Sequence, residues 1–141
     1  MANALYPKYK EKLLNPGTLG SSSGTAVDLV DDTIKIALVD TGVYTYSTTH
    51  EFYSSASSAV IGTSQTLTSK TVTDGTFDAA DVTFTSVTGS SVEALIVYKD
   101  TGTASTSPLI CYVDVAASGL PVTPNGGNIT VTFNASGIFS L

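Results

Sequence analysis

Beyond residue 25 the chain is a succession of short apolar runs, each closed by a turn signal, and this punctuation most limits what it can fold into. The run at 92–99 is apolar on both faces, with Ala94, Ile96 and Tyr98 alternating against Leu95 and Val97. That pattern predicts a central strand. Residues 108–115 repeat it. Residues 33–40 alternate Ile34, Ile36 and Leu38 with Lys35, Ala37 and Val39, then stop at Asp40-Thr41-Gly42. Further short strands are predicted at 43–46, 51–53, 58–62, 66–73, 82–84, 129–133 and 138–141. Asp74-Gly75 and Asn125-Gly126-Gly127-Asn128 are tight-turn signals. Eight or more such strands predict a mainly all-β chain, a single antiparallel sandwich or jelly-roll-like domain.

Composition agrees. Charged residues are 13% of the 141, against a usual share of about 25%, and Ser and Thr fill the gap with 40 positions. Thr, Val, Ile, Tyr and Phe suit a pleated, half-buried surface. The net charge is −6, with six Lys and no Arg, so the cationic track that a phosphate backbone requires is missing and nucleic acid is not expected as a partner. Cys111 is the single cysteine, so no disulfide within the chain is expected. The N-terminal residues lack a secretory pattern, and no apolar run approaches the roughly 20 residues of a membrane span. Synthesis and folding in a cytoplasm, away from membranes, are the expectation.

Residues 1–24 read as an N-terminal arm with a spacer, and 25–141 as the sandwich. Leu5, Tyr9 and Leu13 fall at i, i+4 and i+8, widened by Tyr6 and Leu14, which predicts a short amphipathic helix over 3–14. Pro7 is acceptable only in a first turn, and Asn15-Pro16-Gly17 ends the helix. The Gly/Ser-rich stretch 17–25 has nothing to bury and reads as a soft tether. So short a helix must dock on something. Two destinations follow: its own sandwich, or a neighbouring subunit. The second makes Leu5, Tyr6, Tyr9, Leu13 and Leu14 the expected partner-binding residues.

No motif supplies an active site. Asp-Thr-Gly occurs at 40–42 and 100–102, the tripeptide that aspartic proteases carry once per lobe. The copies stand 60 positions apart, too few for a lobe of roughly 100 residues, and Asp and Gly are ordinary strand-end turn residues. His50, the one histidine, has no second imidazole to form a zinc site and no triad signature around it. Cys111 alternates with Leu109 and Val113, the pattern of a buried thiol. Asp28, Asp31 and Asp32, like Asp74, Asp78 and Asp81, do not match a calcium loop. No catalytic residue, cofactor or metal is expected.

Several long strings are familiar. Met1-Ala2-Asn3-Ala4-Leu5-Tyr6 opens the chain, and Asp32-Thr33-Ile34-Lys35 runs on to Leu38-Val39-Asp40. Leu67-Thr68-Ser69-Lys70-Thr71-Val72-Thr73-Asp74-Gly75 is followed by Ala79-Ala80-Asp81-Val82-Thr83-Phe84. Then come Glu93-Ala94-Leu95-Ile96-Val97-Tyr98-Lys99-Asp100-Thr101-Gly102 and Gly119-Leu120-Pro121-Val122-Thr123-Pro124-Asn125-Gly126-Gly127. In these the chain resembles a family of small structural proteins of tailed-bacteriophage virions, over nearly its whole length. The resemblance implies a non-enzymatic protein displayed in many copies, such as a capsid decoration or cement protein. Its expected partners are the major capsid protein or other virion subunits, with a homo-oligomer, a trimer first, on the head lattice. A tail, neck or fibre-base component is the alternative within the virion. A carbohydrate-binding module, with Tyr44, Tyr46, Phe52 and Tyr53 as a stacking platform, is the alternative outside it.

Overall fold

The two doubly apolar runs become neighbouring strands at the middle of the main sheet. The computed structural model describes residues 3–15, 26–116 and 118–141. In chain order the elements are β1 (Ala4–Leu5), α1 (Pro7–Leu14), β2 (Ile34–Val39), β3 (Val60–Thr66), β4 (Thr71–Thr73), β5 (Thr76–Asp78), β6 (Val82–Phe84), β7 (Ala94–Lys99), β8 (Leu109–Val113), β9 (Ile129–Val131) and β10 (Phe139–Ser140). Short 3₁₀ turns lie at Tyr53–Ser55, Ser57–Ala59 and Ala104–Thr106.

Five strands form an antiparallel sheet in the order β1-β8-β7-β2-β3; β10-β5-β4 and β6-β9 form two smaller antiparallel sheets. Register sorts the main sheet into two faces. Ile36 pairs with Val97, Leu38 with Leu95, and Leu95 with Val113, so these five share one face. Ala37, Ile96 and Tyr112 share the other. On the first face, a cleft of about 570 Å³ lies between the sheet and β9. Over the second face runs the segment between β2 and β3, with Tyr44 and Tyr46 packed against Tyr112. Covering on both sides explains why Ile96, Val97, Leu109 and Ile110 are all buried.

The mainly β, antiparallel reading holds, and departures from the predicted strands have local causes. Residues 43–46 form no strand: 41–43 make a turn whose Asp40 carbonyl accepts the N–H groups of both Val43 and Tyr44 (3.2 and 3.0 Å), and 44–46 run on without strand pairing. Residues 51–53 contribute one bridge, Phe52 to Pro108, before the chain tightens into a 3₁₀ turn. The Thr-rich run 66–73 is split: Leu67 drops into the core with its N–H on the Ile34 carbonyl, and Ser69 adopts φ +51°. At Asp74-Gly75 both residues have positive φ (50° and 77°), the two-residue hairpin turn expected there.

Candidate functional site

The N-terminal segment was the predicted partner-binding element, and its geometry follows from Pro7. A residue before proline is pushed out of helical conformation, and Tyr6 is extended at φ −63°, ψ 132°. The helix therefore starts at Pro7, and Ala4–Leu5 becomes an edge strand instead of a helical turn. It pairs with β8, Ala4 opposite Tyr112 and Leu5 opposite Cys111. The Tyr6 N–H extends the pairing to the Ile110 carbonyl at 3.0 Å. Before the strand, the Asn3 side chain receives the N–H groups of Asp114 and Val115 and donates to the Val115 carbonyl (3.0, 2.9 and 2.9 Å).

Side chains complete the attachment. Tyr6 is fully buried, its ring 5.0 Å from that of Tyr46 and its hydroxyl 2.8 Å from that of Tyr44. The Tyr44 hydroxyl in turn meets Nδ1 of His50 at 2.9 Å. Burial, then the Tyr44 hydrogen bond, pushes the Tyr6 hydroxyl far above the ordinary tyrosine range. Tyr9 is also fully buried, edge-on to Phe139, and its hydroxyl is pushed up to about 12, chiefly by burial. From the same helix the Lys12 ammonium reaches Glu51 Oε1 at 3.2 Å over the Phe52 ring, with only 5% of its side chain exposed.

The expectation that five apolar residues face a neighbour is therefore corrected for three of them. Leu5 is half-buried, and Tyr6 and Tyr9 are fully buried, in the chain's own fold. Leu13 and Leu14 point outward, 39% and 88% exposed. Residues 3–14 are thus part of the sandwich's packing, while the predicted spacer at 17–25 lies outside the described residues. Lys12 lies off the apolar stripe of the sequence, and its burial is the feature that the stripe does not reveal. Its place beside Tyr9 on the inward side, once the helix is known to begin at Pro7, is the signal that could have found it.

The other candidates resolve into structure. Each Asp-Thr-Gly is a turn in which the Asp carboxylate accepts its Gly N–H, at 2.7 Å for Gly42 and 2.9 Å for Gly102. β2 and β7 are antiparallel, with Ile34 opposite Lys99 and Val39 opposite Ala94, so Asp40 and Asp100 leave opposite ends of the sheet. Six residues of strand separate them by roughly 20 Å, and they cannot share a proton. Asp28 caps its own loop through the N–H groups of Val30 and Asp31, which hold its carboxyl below the usual range. Among the described residues no three His, Cys, Asp or Glu gather as metal ligands. Cys111 is buried, and burial raises its thiol to about 12.

The four-ring sugar platform does not form either. Tyr44 is buried and hydrogen-bonded, Tyr53 is stacked on Tyr98 at 3.9 Å, and Phe52 lies under Lys12. No helix among the described residues is long and apolar enough to cross a membrane. No model of a known protein family matches the chain, and no curated protein matches it.

Proposed function

We propose that the chain is a structural component of a tailed-phage virion, a decoration or cement protein on the outer head lattice. The observation that carries this reading is the ending of α1: a helix fixed to the body at Asn3, Tyr6 and Lys12 presents two adjacent leucines to the outside. Such a rigid apolar tip suits insertion into a neighbouring subunit, since its ordering cost is already met by folding. Each tip buries little area, worth about 25 cal/mol per Å², and a lattice of copies multiplies the effect. The resemblance of the chain's longer strings to virion structural proteins supports the same reading, as does the acidic, Ser/Thr-rich composition. As a trimer on a threefold site, the protein would clamp adjacent capsid subunits. Removing residues 1–24 would not test this, because it would strip an edge strand and two core tyrosines. The test is the double substitution Leu13→Asp, Leu14→Asp in the full chain, mixed with undecorated heads: the folded variant should fail to bind.

A further inference from the structure

Where β2 and β8 end and β7 begins, the chain forms a concave pocket of about 400 Å³ that the virion reading does not use. Among its lining residues, Tyr44, Tyr46 and Tyr112 are the aromatic ones and Glu93 and Asp114 the carboxylates. The register explains the gathering. Leu95 pairs with Val113, so Glu93 and Asp114 flank the same end of the sheet, and the Asp40-Thr41-Gly42 turn leads Tyr44 and Tyr46 back over that end.

The Tyr46 and Tyr112 rings lie 5.3 Å apart and inclined by 46°, while Tyr44 and Tyr112 lie 6.2 Å apart at 53°. Rings tilted in this way make a cup and not the flat shelf a sugar ring stacks on. A cup suits a compact, convex group. Its charge is one-sided, since no lysine lines it. Glu93 receives the Thr41 N–H at 2.9 Å, which holds its carboxyl below the usual range and keeps it ionised. The Tyr112 hydroxyl is pushed up by burial first and then by the Asp114 charge, with smaller contributions from Tyr44 and Glu93, so the carboxylates' field reaches the aromatic lining. Two carboxylates among aromatic faces are too few oxygens for Ca²⁺, which takes six to eight ligands.

We propose that this pocket binds an organic cation, an ammonium or guanidinium head seated against the half-buried Tyr46 ring beside the nearly buried Tyr112 (4% exposed), with Glu93 and Asp114 balancing its charge. Aromatic faces attract such cations through the ring quadrupole, and carboxylates add charge-assisted hydrogen bonds where the head has N–H groups. The head could belong to a free small amine or to a Lys or Arg side chain of another protein, and the two sources call for separate arms. The inference stands apart from the virion reading.

The experiment is an NMR titration of the full chain, following the Tyr46 and Tyr112 ring resonances, with choline, Nα-acetyl-lysine amide, Nα-acetyl-arginine amide and 3,3-dimethylbutanol, the uncharged isostere of choline. Saturable ring shifts with at least one cation, and binding about tenfold weaker for the isostere, are expected. Tightest binding of choline would assign a free quaternary amine, and tightest binding of either amide a protein side chain. Tyr46→Leu, at a half-buried position, should weaken the cation by about tenfold. Asp114→Asn should weaken it too, and it keeps the ring cup as a control for folding. Absence of saturation with all three cations, equal binding of the isostere, or indifference to both variants would overturn the proposal.

Discussion

The hydroxyls of Tyr6 and Tyr44 meet at 2.8 Å inside the core, and through them the N-terminal strand is joined to the segment that packs over Tyr112 of the neighbouring strand β8. Tyr9, three residues on, is equally buried, yet its hydroxyl has no hydrogen-bond partner among the described residues. A made hydrogen bond and an unmade one should respond oppositely to loss of the oxygen. Tyr6→Phe should cost about 1–2 kcal/mol, and Tyr9→Phe should be neutral or stabilising. Urea midpoints of the two variants measure this, and the reverse ranking would contradict the packing described.

Lys12 and Glu51 are a nearly dry ion pair, with 5% and 10% of their side chains exposed. Removing one member of such a pair leaves the other charge desolvated. Lys12→Met should lower stability by about 3 kcal/mol in thermal or urea unfolding. The exposed Lys8–Glu11 pair, at 2.9 Å on the outer side of the same helix, provides the contrast: Lys8→Met should change the midpoint little.

Among the described residues, Gly137 is the glycine the fold can least replace. Its φ is +93°, and an added Cβ would lie 2.9 Å from the Phe77 carbonyl oxygen and against the Thr76 methyl. Gly102 has a similar φ of +87° with nothing within 4 Å. Gly102→Ala should therefore cost only the backbone strain, about 1 kcal/mol, and Gly137→Ala visibly more. Equal losses would mean that the approach of β10 to β5 is looser than described.

Alkaline pH should unfold the protein. The hydroxyl of Tyr9 and the thiol of Cys111 are both raised to about 12, and Tyr6 is raised further. In the unfolded chain these groups ionise near their ordinary values, about 10 for tyrosine and 8.5 for cysteine. Their contribution is complete below those values and is lost as pH rises toward 12, because the unfolded state releases its protons first. At the acid end the sign reverses. Asp100, held down by Lys35 and the Gly102 N–H, and Glu93, held down by the Thr41 N–H, lose their contribution as pH falls below the ordinary carboxylate range. Urea midpoints across pH 3–11 should show a plateau between two falls, the alkaline one shared with tyrosine absorbance.

The strands at the centre were legible because a short run that is apolar on both faces must be covered on both faces, and a central strand meets that need. β7 and β8 lie where the pattern placed them, as does the Asp74-Gly75 hairpin, whose residues announce positive φ. Residues 43–46 were not, because alternating Val43, Tyr44, Thr45 and Tyr46 look like a strand until the Asp40 carbonyl takes two of their N–H groups. Counting the helix stripe from Leu5 ignored the extended conformation that Pro7 imposes on Tyr6. That shift of origin turned three expected contact residues inward and hid the burial of Lys12. The tyrosine pocket depends on register between β7 and β8 and on the path of the following loops, neither of which periodicity carries.

On the proposed reading, the protein binds virion heads through the tip of α1. The most direct measurement is sedimentation of the purified chain, wild type and Leu13→Asp, Leu14→Asp, with separated heads and tails of a tailed phage. Saturable cosedimentation of the wild type with heads alone, lost in a variant whose circular dichroism and melting are unchanged, is the predicted result. Binding to tails, to neither, or equally well by the variant would contradict it.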